Sequence, residues 1–583
     1  MMNDVSLKAP WLRAYGSIPA RLTYPQGSMI DFLEQQAEEQ GFMDYEAYDF
    51  LGKRATYREF FRDVDTCAKA LVALGVKRGE RVTICLPNSP QALVMFYGLN
   101  RMGGIPNMIH PLSAQKEVKF YLNCSHSVAA VTLDGFFPKF QEARAHAPSL
   151  KNIIVTSISD ELKPLVSLGY WLKKGRKIPQ VPVGPGVVFY RDFMDVGKQY
   201  VGEFRAQVKG EDTGAILYSG GTTGTNKGIL LSNLNFNALA MQTAAAGDCL
   251  VAGHRMLAIM PVFHGFGLGV GIHTGMCYGC LEILVPQFSA DTYAELLKKY
   301  QPNYIAGVPT LFEALLRNKH MEKVDLSCLE GVFSGGDSLS IELKKKVDAF
   351  LKQQGAKIQI REGYGTTECV TASCLTPKDF YKEGSIGIPF PDTYYKICKV
   401  NSVEEVPYGE EGEICITGPS VMQGYLDNPE ETAQVLRLHE DGHTWLHTGD
   451  LGVIDSEGFV YFKQRIKRMI VSSGYSIYPS QIENVLDAHP SVSMSTVIGV
   501  PDPYKIEKVK AFLVLKPGIE PTDDVKESIY EHCKENIAKY AIPYEFEYRD
   551  SLPQTLVGKV AYTVLEQEEL EKIGEVEAAG SPA

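Results

Sequence analysis

Residues 218–228 read Tyr-Ser-Gly-Gly-Thr-Thr-Gly-Thr-Asn-Lys-Gly. They continue the apolar run Ala215-Ile216-Leu217, which predicts the end of a β-strand. Four glycines, four Ser or Thr hydroxyls and one lysine in eleven residues suit a polyphosphate. Glycines let backbone N–H groups approach the anion, hydroxyls donate, and Lys227 supplies charge. A Gly/Ser/Thr cluster is as readily an ordinary surface loop. Nor is the spacing that of a Walker loop, because Gly228 follows Lys227 directly.

Upstream, residues 27–41 predict an amphipathic helix. Thr56 and Glu59 form a capping box for a second helix that runs to Gly75. Arg81–Leu86 is a short β-rich run, and Asn88, Ser89 and Pro90 open a helix ending near Gly103-Gly104. Apolar runs follow at Ala129–Leu133 and Asn152–Val155. This alternation predicts βαβ units and mostly parallel sheets, an α/β fold. Downstream, residues 400–412 look turn-rich and β. The block from about 468 to 565 predicts a small α+β domain: helices at 479–489 and 523–539, strands at Ser495–Val500 and Val509–Leu515.

The 583 residues carry a net charge of -12, which argues against a nucleic-acid binder needing a basic footprint. The 12 cysteines are scattered, and Cys277 and Cys280 form the one C-x-x-C, in an apolar stretch that favours buried free thiols over zinc. The first residues lack the apolar core of a secretory signal, so a cytoplasmic protein is expected. Residues 265–288 are the most apolar window, but six glycines, His273 and Glu282 make a poor membrane span.

Further segments follow in order: Phe333-Ser334-Gly335-Gly336-Asp337, Glu362-Gly363-Tyr364-Gly365-Thr366-Thr367-Glu368 and Trp445-Leu446-His447-Thr448-Gly449-Asp450. After them come Lys463-Gln464-Arg465-Ile466-Lys467, Ser473-Gly474-Tyr475 and Leu552-Pro553-Gln554-Thr555-Leu556-Val557-Gly558-Lys559. With the 218–228 loop, this set resembles the AMP-forming superfamily of acyl-CoA synthetases, adenylation domains and luciferases. The closest look is to ligases of medium- and long-chain fatty acids.

The resemblance implies a large N-terminal domain, residues 1–466, and a small mobile C-terminal lid, residues 467–583. It implies ATP, Mg²⁺ and coenzyme A as partners of a carboxylic acid. Ser219, Gly220, Gly221, Thr222, Thr223, Gly224 and Lys227 would hold the β- and γ-phosphates. Gly335, Gly336, Asp337 and the turn Glu362, Gly363, Tyr364, Gly365 and Thr366 would flank adenine. Thr367 would contact the α-phosphate, and Glu368 with Thr222 would bind Mg²⁺. Asp450 and Arg465 would hold the ribose, near Phe462, Gly474 and Tyr475. Lys467 falls at the hinge, and Lys559 would reach the carboxylate and α-phosphate. These roles suit the chemistry, because a carboxylate attacking a triphosphate must overcome like-charge repulsion.

Some positions depart from the superfamily pattern. Gly220 stands where Ser is common, which looks like the long-chain branch. Asn226 replaces Pro, Asp337 a small residue, Val557 Ser, and Arg468 an acidic residue. Pro261-Val262-Phe263-His264-Gly265 looks like the motif at the mouth of the acyl pocket, which makes His264 a gate or a packed core residue. Gly267, Gly271, Gly275 and Gly279 recur every four residues, either for close packing or as a smooth wall for an acyl chain. Residues 162–179 mix aromatic, leucine and basic residues. A solvated loop is the plainer expectation, and contact with an anionic membrane the alternative. The expected reaction is fatty acid adenylation and then thioester formation with coenzyme A. The alternatives are loading of a carrier protein in trans, an aromatic or steroid acid substrate, and a non-catalytic sensor. Oligomerisation stays open.

Overall fold

The computed structural model describes residues 7–173, 175–219, 226–472, 475–502, 504–555 and 558–580, with backbone alone for 475–476 and 574–580. Local signals set the first elements. Ser28 caps helix Met29–Glu39 by accepting the N–H of Asp31 at 3.2 Å. Thr56 and Glu59 make a reciprocal box at the start of Tyr57–Ala73, satisfying N–H groups that the first turn leaves unpaired. Ser89 caps Pro90–Arg101, where proline costs nothing in the first turn.

Among the described residues the strands form four sheets. An eight-stranded sheet runs in the order Gly424–Tyr425, Lys227–Ser232, Thr213–Ser219, Ile105–Met108, Arg81–Cys85, Ala129–Leu133, Asn152–Thr156, Val187–Phe189. It is parallel from Thr213–Ser219 onward, and its first strands are antiparallel. A nine-stranded sheet is parallel from Ile360–Tyr364 through Gly331–Ser334, Tyr304–Gly307, Arg255–Ala258 and Leu281–Leu284 to Glu46–Phe50. Helices pack on these sheets over a large apolar core, and a separate cluster under helices Gln115–Cys124 and Phe137–Arg144 includes Cys85, Ala130, Ile153 and Val155 of the eight-stranded sheet. A third, antiparallel sheet holds Thr444–Ile454 paired with Val460–Arg465.

The fourth sheet begins only at Ile470–Ser472, after the short 3₁₀ turn Ile466–Arg468. It has its own core, including Ile470, Ile482, Leu486, Val497, Val509 and Ile529. Its strands Val492–Asp502 and Ile506–Leu515 contain the predicted strand segments, and its helices Pro479–Ala488 and Asp523–Asn536 start where the sequence pattern predicts but end one and three residues sooner. Cys277 and Cys280 are buried free thiols. No helix among the described residues is long and apolar enough to cross a membrane.

Two sequence expectations change. Residues 164–173 are a helix rather than a loop, and none of its side chains is fully buried. The glycine segment is not one α-helical face. Phe266–Thr274 is a π-helix, and Gly279 lies in a turn at φ 73°. A wider helix does not stack residues four apart as an α-helix does.

Candidate active site

Strand register places the first pair of site residues. In the third sheet Asp450 stands opposite Arg465, with Arg465 Nε 3.4 Å from Asp450 Oδ1. Tyr364, at the end of strand Ile360–Tyr364, donates its hydroxyl to Asp450 Oδ2 at 2.7 Å. The Tyr364 ring leans on Phe462, centroid to centroid 5.9 Å. Asp450 is 2% exposed, and its Oδ1 accepts no hydrogen bond among the described residues. Burial raises its pKa, against the pull of Arg465. Beyond the long ion pair with Arg465 this buried oxygen has no hydrogen-bond donor among the described residues, which leaves it able to accept one from outside.

Gly335 and Gly336 follow the strand Gly331–Ser334. Gly336 sits at φ 81°, and a Cβ there would meet Lys559 Cε at 3.4 Å. Gly363 lies within Ile360–Tyr364, and a Cβ on Gly365 would come within 2.0 Å of the Thr371 carbonyl oxygen. The Glu362 carboxylate is occupied within the protein. Its Oε1 accepts the Leu339 N–H at 3.0 Å, and burial pushes its pKa up to about 8. Asp337 Oδ1 accepts the N–H of Ser338 at 3.0 Å.

Thr366 precedes a 3₁₀ turn formed by Thr367, Glu368 and Cys369. The next residue, Val370, is held at φ 63°, a strained conformation for a β-branched side chain. Glu368 Oε1 accepts the Tyr425 hydroxyl at 2.8 Å. The face of the same tyrosine carries Lys227, whose Nζ is 5.1 Å from the ring centroid and 2.7 Å from Glu431 Oε2. Lys227 pairs across its hairpin with Ser219, and the connecting residues 220–225 lie outside the described residues. They include Gly220, Gly221, Thr222, Thr223 and Gly224. Gly474 also lies outside, and for Tyr475 only the backbone strand is described.

Sequence reasoning missed Tyr425 and Glu431. Both join the site because Gly424–Tyr425 pairs with Lys227–Ser232, a contact of nearly 200 residues' separation that no local pattern carries.

Lys559 enters from the C-terminal unit. Thr310 Oγ1 donates to the Gly558 carbonyl at 2.6 Å, which docks the loop over Gly336. Burial pulls the Lys559 ammonium below its ordinary pKa. Asp337, Asp450 and Glu368 oppose that pull, and Arg465 adds to it. His264 Nδ1 accepts the N–H of Phe266 at 3.2 Å, which leaves the ring proton on Nε2. Its pKa falls to about 3, chiefly from burial and then from Lys559, so the imidazole is neutral at physiological pH. Lys467 lies in the 3₁₀ turn between the third and fourth sheets. Next to it, Arg468 is held by Glu483 at 2.6 Å. Tyr478 donates to Glu411 at 2.7 Å, a second contact across the two units.

The cleft therefore gathers Lys559, His264, Glu368, Asp450, Arg465 and Tyr364, drawn from segments nearly 300 residues apart. Residues 33–426 match the AMP-binding enzyme family, and residues 481–559 match the AMP-binding enzyme C-terminal domain. The chain belongs to this family and is an AMP-forming acyl-CoA ligase. The ligase is 34% identical to a long-chain-fatty-acid–CoA ligase of Bacillus subtilis, over 96% of this chain and 98% of that one. It is 31% identical to one of Escherichia coli O6:H1, over 97% and 99% of the two chains. In fold it is similar to an anthranilate CoA ligase solved with anthranoyl-AMP. The TM-score is 0.81 at 24% identity, covering 96% of this chain and 99% of that one.

Behind His264 the ligase's π-helix forms an interior wall. A Cβ on Gly267 would lie 2.1 Å from the Pro261 carbonyl oxygen, and one on Gly275 would lie 2.1 Å from Glu282 Oε1. Those two glycines serve packing. A Cβ on Gly271 would meet only the Phe266 carbonyl oxygen, at 3.7 Å, so this position has room beside it. His273, on the same helix, is buried between the Tyr97 hydroxyl and Asn237 Oδ1, each at 3.0 Å.

Proposed function

We propose that this ligase activates medium- or long-chain fatty acids. The observation that carries the reading is the convergence of Lys559 with Glu368, Asp450 and Arg465 beside His264 and the Gly271 wall. A fatty carboxylate oxygen attacks the α-phosphorus of ATP, the bond to pyrophosphate breaks, and acyl-AMP forms. The sulfur of coenzyme A then attacks the acyl carbonyl carbon, and AMP leaves.

In this reading the orphaned Asp450 Oδ1 accepts a ribose hydroxyl and Arg465 holds the same sugar. Tyr364, Gly335 and Gly336 border adenine. The 219–228 loop and Lys227 take the β- and γ-phosphates, with Lys227 exchanging Glu431 for phosphate. Thr367 donates to the α-phosphate. Lys559 neutralises charge between carboxylate and α-phosphate, the form of help that matters most where charge develops. Glu368 offers the hard oxygen that Mg²⁺ prefers, with Thr222 as the second protein ligand. When bound, the ion supplies neutralisation of the triphosphate. We place the unit boundary at 466/467 and the hinge at Lys467, because the fourth sheet and its separate core begin just beyond.

The chain-length part rests on the Gly271 space and on the names of the two bacterial relatives. The test is acid-dependent ATP–pyrophosphate exchange across aliphatic, aromatic and steroid acids, followed by thioester formation with coenzyme A. Fatty acids should lead both assays. An aromatic acid exceeding every fatty acid, or exchange without any CoA thioester, would overturn the reading.

A further inference from the structure

Helix Pro164–Lys173 turns its apolar side to solvent. Leu165 is 85% exposed, Leu168 56% and Trp171 54%, and Leu172 is also exposed. At 100° per residue these four fall in one stripe roughly 120° wide. Tyr170 points the opposite way and packs on the main core, so the helix is anchored while its stripe stays bare. A compact cluster of this kind marks an interaction site, unlike singly scattered apolar residues.

The charge around the stripe names the partner. Residues 162–179 contain no acidic residue, in a chain of net charge -12. Lys163, Lys173, Arg176 and Lys177 are exposed at the two ends of the helix. Lys163 also lines an open depression of about 550 Å³ with Lys53, Arg54 and Lys299. Part of that charge is already met: Lys53 pairs with Glu161, and Arg54 with Glu46 and Asp49. Leu51, next to the lining residue Gly52, adds another exposed apolar side chain at the edge.

We propose that this face seats the enzyme on an anionic phospholipid bilayer. The leucine–tryptophan stripe enters the headgroup layer, and the flanking cations meet lipid phosphates. Residues 162–179 offer cations alone around the stripe, which complements an anionic surface. Tryptophan at the boundary of apolar and polar zones is also a membrane-interface habit. The surface would bring the ligase to where fatty acids partition. Its binding readouts, quenching and co-sedimentation, use no substrate, so it stands or falls apart from the chain-length reading.

The three tryptophans make the measurement direct. Trp11 and Trp445 are each 1% exposed, so a bilayer quencher reaches Trp171 first. The full chain is mixed with phosphatidylcholine vesicles, with or without phosphatidylglycerol, carrying brominated acyl chains. Quenching and co-sedimentation are expected with the anionic vesicles and should fall with added salt. Lys173→Ala/Arg176→Ala should weaken partitioning about 30-fold, from the usual worth of two cations near such a surface. Leu165→Asp/Leu168→Asp should abolish quenching while vesicle-free pyrophosphate exchange stays normal. Absence of quenching on anionic vesicles at low salt would overturn the proposal, as would equal quenching in the aspartate variant. So would light scattering that finds a dimer dispersed by those aspartates in a protein that ignores vesicles.

Discussion

Replacing Gly271 with leucine separates an acyl channel from mere close packing. The added Cβ meets only one backbone oxygen, at an ordinary 3.7 Å, so the variant should fold. The rest of the side chain would then occupy space that a long acyl chain needs. A leucine displaces about three methylenes of substrate, and each buried methylene is worth about 0.8 kcal/mol. The longest acids should therefore lose roughly 2.5 kcal/mol of binding, close to two decades in kcat/KM. Acids too short to reach Gly271 should lose little. The assay is kcat/KM for saturated acids of increasing length, with the break in the profile moving to shorter chains. Gly275→Ala is the control, because its Cβ would sit 2.1 Å from Glu282 Oε1. Glu282 is fully buried and neither oxygen has a hydrogen-bond partner among the described residues, so the clash should cost about 1–3 kcal/mol of stability and leave the length profile in place. A Gly271→Leu enzyme that loses the same factor at every chain length, or nothing at any, refutes the channel.

Four more outcomes follow from the cleft. Lys559→Ala should slow acyl-AMP formation by about 10²–10³ while thioester formation from supplied acyl-AMP stays near normal, and equal loss in both half-reactions would remove it from adenylation. Lys467→Pro should hold one lid orientation, so adenylation should survive better than CoA transfer; normal rates of both would move the hinge elsewhere. Tyr425→Phe keeps the ring beneath Lys227 but removes the hydroxyl on Glu368, and should raise the Mg²⁺ needed for half-maximal exchange about tenfold; an unchanged Mg²⁺ titration would count against it. Glu362 has a folded pKa of about 8, so the native state binds the extra proton between about pH 4.5 and 8, and stability falls as pH rises through that window. Glu362→Gln should flatten part of that slope in denaturant titrations, and an identical slope would mean that Glu362 does not titrate there.

How far the sequence reaches depends on the range of the forces involved. Ser28 with Asp31, and Thr56 with Glu59, start their helices through contacts three residues apart, so those starts are legible from the chain alone. Period and spacing likewise carry the alternating α/β pattern and the small C-terminal unit, and the ordered motifs carry Asp450, Arg465, Glu368 and Lys559. Other features depend on groups far apart in sequence. Tyr425 reaches Glu368 and Lys227 only because a two-residue strand pairs with a distant hairpin. Burial by other elements sets the neutral state of His264 and the raised pKa of Glu362. Which glycine faces open space is decided by the π-helix and by what packs against it, since spacing by four treats Gly271 and Gly275 alike. Residues 164–173 carry their apolar pattern in the sequence, but the pattern alone cannot say which side faces the core. Only packing of Tyr170 inward leaves the leucines and Trp171 outside, because burial depends on the partner surface and not on the helix itself.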